Sequence, residues 1–369
     1  MRGRLAFRIL IFSVGSLFCS AHLQAADPFT VYRSSPALAR GNTGLTTSEG
    51  LESVFYNPAT LAAHPGDEPR EQFILLSPAP EVSTNVSKII KKVSSKADSD
   101  KISVVQDLKD HPFSAGVSNF SGVVSDNVAV GWIASGFTRA FSFLDPNRSG
   151  LETIDLKAYS NLGLVGTYSH ELPVDGLFLG TTLKYISRSQ ITAALNLSDV
   201  KKIQNLKISN YRNFGTGVGA DLGALYRMGL KDSILLPQFA LTIDDIGNTT
   251  FKKDKDNPSP LEPLRQTVNL GASVGLVLGK HVFTVQGDFR DFFGREETNS
   301  LKRLHLGLDY SFHKKFGLGV GLNQGYPSAG LFLGGDTMRL DVGTYGEELG
   351  VRVGQRADIR YFIRLMVSV

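Results

Sequence analysis

Phe214-Gly215-Thr216-Gly217-Val218-Gly219-Ala220-Asp221-Leu222-Gly223-Ala224-Leu225-Tyr226-Arg227-Met228 is the stretch that decides the fold. Its even positions are mostly apolar: Phe214, Val218, Ala220, Leu222, Ala224, Tyr226 and Met228. Its odd positions are mostly small or charged: Gly215, Gly217, Gly219, Asp221, Gly223 and Arg227. Side chains alternate across a strand, so this is one long strand between two different environments. It far exceeds the roughly six residues typical of a soluble sheet. The Gly-x-Gly run continues at period two, and no helix follows it, which separates it from a dinucleotide-binding loop.

The same alternation recurs toward the C-terminus. Leu304, Leu306, Leu308, Tyr310 and Phe312 alternate with His305, Gly307, Asp309 and Ser311. Phe316, Leu318, Val320 and Leu322 alternate with Gly317, Gly319, Gly321 and Asn323. At the end of the chain, Ile359, Tyr361, Ile363, Leu365, Val367 and Val369 oppose Asp358, Arg360, Phe362, Arg364, Met366 and Ser368. Turn signals separate these runs. Counted from Gln72 there are about fourteen strands, many of the 9–11 residues that cross a bilayer when tilted. An apolar outside around a polar inside inverts a soluble barrel, and lipid requires a closed sheet because every backbone group must be paired. The fold class read from the pattern is all-β, a transmembrane antiparallel β-barrel. Leu306 and Gly307 then occupy opposite faces, so Arg at 306 is expected to be costly and Ser at 307 tolerated.

The N-terminus explains how such a chain reaches a membrane. Arg2, Arg4 and Arg8 form a basic region, 9–18 an apolar core, and Ala25-Ala26 a small-residue cleavage site, as in a secretory signal peptide over 1–25. The chain of 369 residues has 39 Lys+Arg against 35 Asp+Glu. Cleavage removes three Arg, leaving 36 basic residues against 35 acidic ones, so nucleic acid is not an expected partner. It also removes Cys19, the one cysteine, which excludes a disulfide framework or a zinc ribbon in the mature chain. Residues 26–70 are rich in Ser, Thr, Gly, Asn and Pro without a sustained period and read as an irregular segment. Residues 86–110 mix Ile, Val and Leu with Lys, Ser and Asp and read as a polar helical insertion within the barrel domain at 71–369.

Several stretches resemble the FadL-like outer-membrane proteins, the group of hydrophobic-compound transporters and PorV-type barrels. The run Phe55-Tyr56-Asn57-Pro58-Ala59-x-Leu61 resembles the Asn-Pro-Ala element of that family's N-terminal hatch. The 219–227 strand, Asp244-Asp245-Ile246-Gly247-Asn248-Thr249 and Gly321-Leu322-Asn323-Gln324-Gly325-Tyr326 are similar to segments of the same barrels. The resemblance implies a fourteen-stranded barrel with 26–70 as an N-terminal plug. It also implies passage of hydrophobic small molecules across the outer membrane, or a non-transport scaffold or secretion/assembly partner of the PorV type. The implied partners are outer-membrane lipid, the barrel-assembly machinery and hydrophobic small molecules. Val369 stands where the assembly signal of such barrels usually ends in an aromatic residue.

No catalytic constellation emerges. A Ser/His hydrolase needs a nucleophile and an orienting partner in reach, and the histidines are scattered. Asp244, Asp245 and Asn248 supply too few oxygens for calcium, and no cofactor is expected. Glu347 and Glu348 are expected in a turn. The candidate lumen-lining residues are His305, Asp309, Phe332, Arg339, Asp341, Arg360, Phe362 and Arg364, with the charges paired across the lumen and Phe332 and Phe362 lining a pocket. A continuous apolar cavity is the expected mark of transport. A lumen filled by charge pairs is the expected mark of a scaffold.

Overall fold

The computed structural model describes residues 30–63, 71–94, 107–108, 111–145, 151–196, 212–229, 234–253, 261–313, 315–335 and 337–369. The signal peptide over 1–25 lies outside these residues, as does most of 95–110. The rest form one antiparallel sheet closed on itself as a 14-strand barrel.

The first wall strand has two parts, β1 (Glu71–Leu76) and β2 (Ala79–Ser83), both laid between the last strand and the next one. It is followed by β3 (Phe113–Ser125), β4 (Val128–Asp145), β5 (Leu151–Glu171), β6 (Leu177–Asn196), β7 (Arg212–Arg227) and β8 (Leu235–Asp244). A two-residue strand, β9 (Lys252–Lys253), extends the top of β7. The wall continues through β10 (Thr267–Leu278), β11 (His281–Phe289), β12 (Leu304–Phe312), β13 (Phe316–Asn323), β14 (Tyr326–Gly334), β15 (Met338–Glu348) and β16 (Ala357–Ser368). β16 closes the ring onto β1 and β2. Closure leaves no unpaired edge, the condition for a sheet in lipid.

The face pattern is inside-out. Along β12, Leu306 and Leu308 are 42% and 44% exposed, whereas His305 and Gly307 are buried. Along β16, Arg360, Phe362 and Arg364 are buried between exposed Tyr361, Ile363 and Leu365. Lipid covers the outer apolar face, and the polar face turns into the lumen.

The two rims differ. Both ends of the barrel domain lie on one rim, where two to seven residues join successive strands, as at 126–127 and 279–280. The other rim carries longer connections, including 84–112, 245–266 and 290–303. Short turns face the periplasm in such barrels and long loops face outward. The wall is uneven in height. β5 and β6 have 21 and 20 residues, while β11 and β12 have 9 each. Nine residues are near the minimum for a span, so β4 to β6 project well past the membrane on the outer side. Their projecting outer face is covered by the helix α1 (Val86–Ser94), through a cluster of Ile89, Leu108, Ala140 and Ile154.

Residues 30–63 lie against the inward faces of the wall. They form a helical turn Ser35–Ala39, a 3-10 turn Gly50–Glu52, a helical turn Ser53–Tyr56 and a 3-10 turn Pro58–Leu61. Ser34 starts the first, its Oγ accepting from Ala37 N at 3.2 Å. Asn57 starts the last with an extended backbone, as the residue before proline must have, and Pro58 follows with φ preset.

Leu308 sits at the middle of the nine-residue β12, so Leu308→Arg is expected to cost about 2–4 kcal/mol, as charges near the bilayer midplane do. Urea unfolding of protein refolded in lipid vesicles measures it. A cost no greater than that of arginine in an outer loop would reverse the facing of β12.

Candidate functional site: the occupied lumen

Three glycine pairs shape the inner wall. Gly180 of β6 and Gly223 of β7 are opposite each other in register. Asn57 and Pro58 press into that bare patch. A Cβ on Gly223 would overlap Asn57 Oδ1, and one on Gly180 would overlap the carbonyl carbon of Pro58. Asn57 Nδ2 donates to Leu45 O at 2.7 Å and to Ala224 O at 3.3 Å, while its Oδ1 accepts from Ala59 N at 3.0 Å. Gly307 and Gly321 form the second pair, on β12 and β13. A Cβ there would come within 2.5 Å of Arg40 O and Gly41 N respectively. Gly41 itself has φ +74, and its own Cβ would strike Leu306 O. Gly319 and Gly330 form the third pair, on β13 and β14, and receive the Ala39 methyl at 3.3 and 2.7 Å from their Cβ positions. The segment thus packs directly on the wall backbone, which glycine permits.

Polar contacts fasten the same segment. Asp288 accepts from Gly44 N at 2.8 Å and Leu45 N at 3.2 Å. Arg290 donates to Asn42 O at 2.6 Å and lies 4.9 Å over the Tyr56 ring. Tyr56 Oη donates to Asn42 Oδ1 at 2.7 Å. Phe55 stacks on Tyr32 at 4.5 Å and meets Phe120 edge-on. Burial pushes the phenols of Tyr32 and Tyr56 above the ordinary tyrosine range. Ala59 and Leu61 are fully buried, the former in the cluster of Leu45, Phe178 and Leu225.

Ion pairs complete the filling. Arg360 is fully buried and meets Asp358 at 2.6 Å and Glu347 at 2.7 Å. Arg33 of the N-terminal segment shares Glu347 at 2.5 Å. Arg364 binds Asp341 at 2.6 Å and reaches Glu52 of the segment at 3.4 Å. Arg339 takes the other Asp341 oxygen at 2.9 Å. Arg40 lies 3.8 Å from Glu52 and 3.9 Å from Asp309. On the opposite wall, Lys184 bridges Asp221 and Asp245 at 2.7 and 2.9 Å. Removing one partner of a buried pair strands the other charge, typically at 3–5 kcal/mol.

The lumen residues singled out in the sequence fall into these groups unequally. His305 and Asp309 share a face but not a partner: His305 Nδ1 lies 3.0 Å from Gly41 O. Phe332 packs against Gly317 beneath the Arg339 guanidinium, 4.0 Å away, and does not line the cavity beneath the N-terminal segment. Phe362 does line one. Glu347 and Glu348 are not in a turn. They are the last residues of β15, and Glu347 is a strand residue because Arg360 and Arg33 face it. Gly307 is not the tolerant position its side-chain size suggests, since the backbone of Arg40 lies where a Cβ would point. Sequence reading passed over Arg33, Arg40, Glu52 and Glu81. The only signal was charge inside an otherwise small and polar segment, or in a short strand.

A cavity lies between the segment and the wall. Val31, Tyr32 and Leu38 face Phe137, Tyr159 and Phe362 across it, and it extends to Ala79, Ser118 and lipid-facing Val117. Its free volume of ≈ 20 Å³ holds about one water-sized group. Among the described residues no group of three or more His, Cys, Asp or Glu could hold a metal ion.

No protein-family model and no curated protein sequence matches the chain. Among solved structures it is similar to the Ralstonia pickettii toluene transporter TbuX, at 12% identity over 95% of this chain and 99% of that one, TM-score 0.47. The Pseudomonas putida toluene transporter TodX gives 12% identity over 94% and 98%, TM-score 0.47. The Salmonella typhi outer membrane phospholipase gives 11% over 84% and 96%, TM-score 0.27. The barrel is defined by its own register and face pattern: this is an outer-membrane β-barrel whose lumen is occupied by its own N-terminal segment.

Gly223→Ala is expected to unseat the Asn57-Pro58 turn, at about 1–3 kcal/mol from overpacking, and to expose 30–63 to protease. Urea midpoints and limited proteolysis read both. Equal protease resistance of wild type and Gly223→Ala would remove the seat.

Proposed function

We propose that the protein is a gated passage for hydrophobic small molecules across the outer membrane, with residues 30–63 as the gate. The observation that carries this is the aromatic and aliphatic cavity beneath the segment. Its lining is mostly apolar, with Arg33 and Glu81 also on it, and it is set beside the place where the first wall strand is interrupted at Ser77 and Pro78. Ser77 bridges the interruption, accepting from Phe120 N at 3.0 Å and donating to Phe120 O at 2.9 Å. A void of ≈ 20 Å³ admits no hydrocarbon, so the described lumen is the closed state of such a passage. Opening needs 30–39 to shift away from Phe137, Tyr159 and Phe362. The contacts to be broken there are the Arg33 ion pair, which water entering the lumen replaces, and the apolar packing of Val31, Tyr32, Leu38 and Ala39, which the hydrophobic cargo replaces. Export through cleavage of 1–25 and folding by the barrel-assembly machinery belong to the same proposal.

A second reading, a scaffold of the PorV type, is favoured by the ionic ties themselves. Arg33 with Glu347, Arg364 with Glu52 and Arg40 with Asp309 bind the segment to the wall at separate heights. A permanently fixed filling has no use for an exit.

A disulfide lock separates the two. Ala39 Cβ lies 3.3 Å from the Cβ position of Gly319, close to the 3.5–4.5 Å span of a disulfide. The only native cysteine is Cys19, within the signal peptide. In cells making Ala39→Cys/Gly319→Cys, uptake of a labelled aromatic hydrocarbon or long-chain fatty acid should fall on oxidation to the level of cells lacking the protein. Reductant should restore it. Wild-type cells that take up no more than cells lacking the protein would support the scaffold. Full uptake by the oxidised lock would acquit the segment as gate.

A further inference from the structure

Arg33, Arg40, Lys184, Arg360 and Arg364 in the lumen each face an acid, whereas one part of the periplasmic rim sets cations together without one. Two turns there touch: Gly279 and Lys280 join β10 to β11, and 313–315 joins β12 to β13. His313 N donates to Lys280 O at 3.0 Å, which ties them together. Lys280, His281, His313 and Lys315 are all exposed. Among the described residues none of the four has a carboxylate partner. The other periplasmic turns carry acids, such as Asp126 and Asp175.

An aromatic row runs directly beneath. Phe283 lies 4.9 Å from Tyr310, His281 lies 4.9 Å from Phe312, and Phe312 lies 4.8 Å from His313. His281 Nδ1 is 2.9 Å from Tyr310 Oη. Phe283 and Phe312 face the lipid, each 38% exposed. Aromatic belts mark the level of the headgroups. Because β11 and β12 span only nine residues, the turns at their ends lie at the phosphate layer. Desolvation and the neighbouring Lys280, Lys315 and His281 hold the His313 imidazole below its ordinary value, a sign of uncompensated positive charge at this spot.

We propose that these two joined turns are a docking site for the headgroup of an anionic glycerophospholipid of the periplasmic leaflet. The ammonium groups of Lys280 and Lys315 meet the phosphate from the rim, and the ring row beneath packs on the acyl chains. Charge chemistry selects the anionic class. An ethanolamine headgroup brings an ammonium that needs an acceptor, and the described residues of the patch present no carboxylate to receive it.

The test is native mass spectrometry of the full barrel in detergent, offered phosphatidylglycerol, phosphatidylethanolamine and lipid A in equal amounts. Wild type should retain phosphatidylglycerol preferentially. Each basic residue near an anionic surface contributes about fivefold in affinity, so Lys280→Gln/Lys315→Gln should lose about 25-fold, and Lys280→Arg/Lys315→Arg should keep most of it. Gel mobility with and without boiling verifies that each variant is a closed barrel. Equal retention of the two phospholipids by wild type would overturn the site. So would preferential retention of lipid A, or unchanged phosphatidylglycerol binding by the glutamine variant.

Discussion

Close approach of the N-terminal segment to bare wall backbone at three glycine pairs is the contact on which the rest of this lumen depends. A wall in lipid satisfies its own hydrogen bonds within the sheet, so it offers an irregular segment no ladder to join. The segment between 30 and 63 must be held by other means. Gly180 with Gly223, Gly307 with Gly321, and Gly319 with Gly330 remove side chains where the segment comes nearest. Once Asn57-Pro58, Arg40-Gly41 and Ala39 are seated there, Arg33, Arg40 and Glu52 come within reach of wall charges. The ion pairs are therefore secondary in construction, although they dominate the charge pattern. With the Gly223, Gly307 or Gly321 seat filled by a methyl, the segment stands off from the wall and those pairs lengthen together.

The same glycines show what one sequence can reveal. Their inward facing followed from the period of two, because each face of a barrel strand meets one kind of surroundings for its whole length. That is why 214–228, 304–312 and 357–369 could be assigned to lipid and lumen residue by residue. What the glycines make room for did not follow. Gly307 meets the backbone of Arg40, more than 250 residues away in the chain, and no local pattern encodes that pairing. Glu347 and Glu348 failed for a related reason. Two adjacent carboxylates resemble a solvated turn until Arg360 and Arg33 are placed opposite one of them. Phe332 was legible as an inner-face aromatic, but its contact with Gly317 and Arg339 made it part of the wall rather than of a pocket.

Uneven strand height adds a second constraint. The tall β4 to β6 carry their outer face above the lipid, where water would wet exposed Ile154 and Ala140. The polar insertion supplies Ile89 and Leu108 to cover them. Its Lys88 and Lys92 both pair with Asp107, which brings the two ends of the insertion together. The insertion therefore has a packing reason to exist, independent of whatever passes through the lumen.

The interior combines these constraints in a way that bears on function. A segment buried by apolar packing alone would leave the wall only by exposing hydrocarbon to water. Here the contacts of Arg33, Arg40, Glu52 and Asn57 with the wall are polar, and water entering the lumen replaces each of them. The apolar share lies at two places: the cluster around Ala59, and the larger packing of Val31, Tyr32, Val54 and Leu61 on Phe120 and Ile133, with Leu38 and Ala39 on Tyr345 and Phe362, which borders the cavity. The first anchors the segment at β6 and β7 through the Gly180 and Gly223 seat. The second is incompletely filled. A hydrophobic molecule that entered it would replace the apolar contacts of Val31, Tyr32 and Leu38 with its own while water took over the polar ones. Displacement of the 30–39 end about an anchor at 57–61 therefore needs a ligand that replaces the apolar contacts of Val31, Tyr32 and Leu38, because water alone replaces only the polar ones.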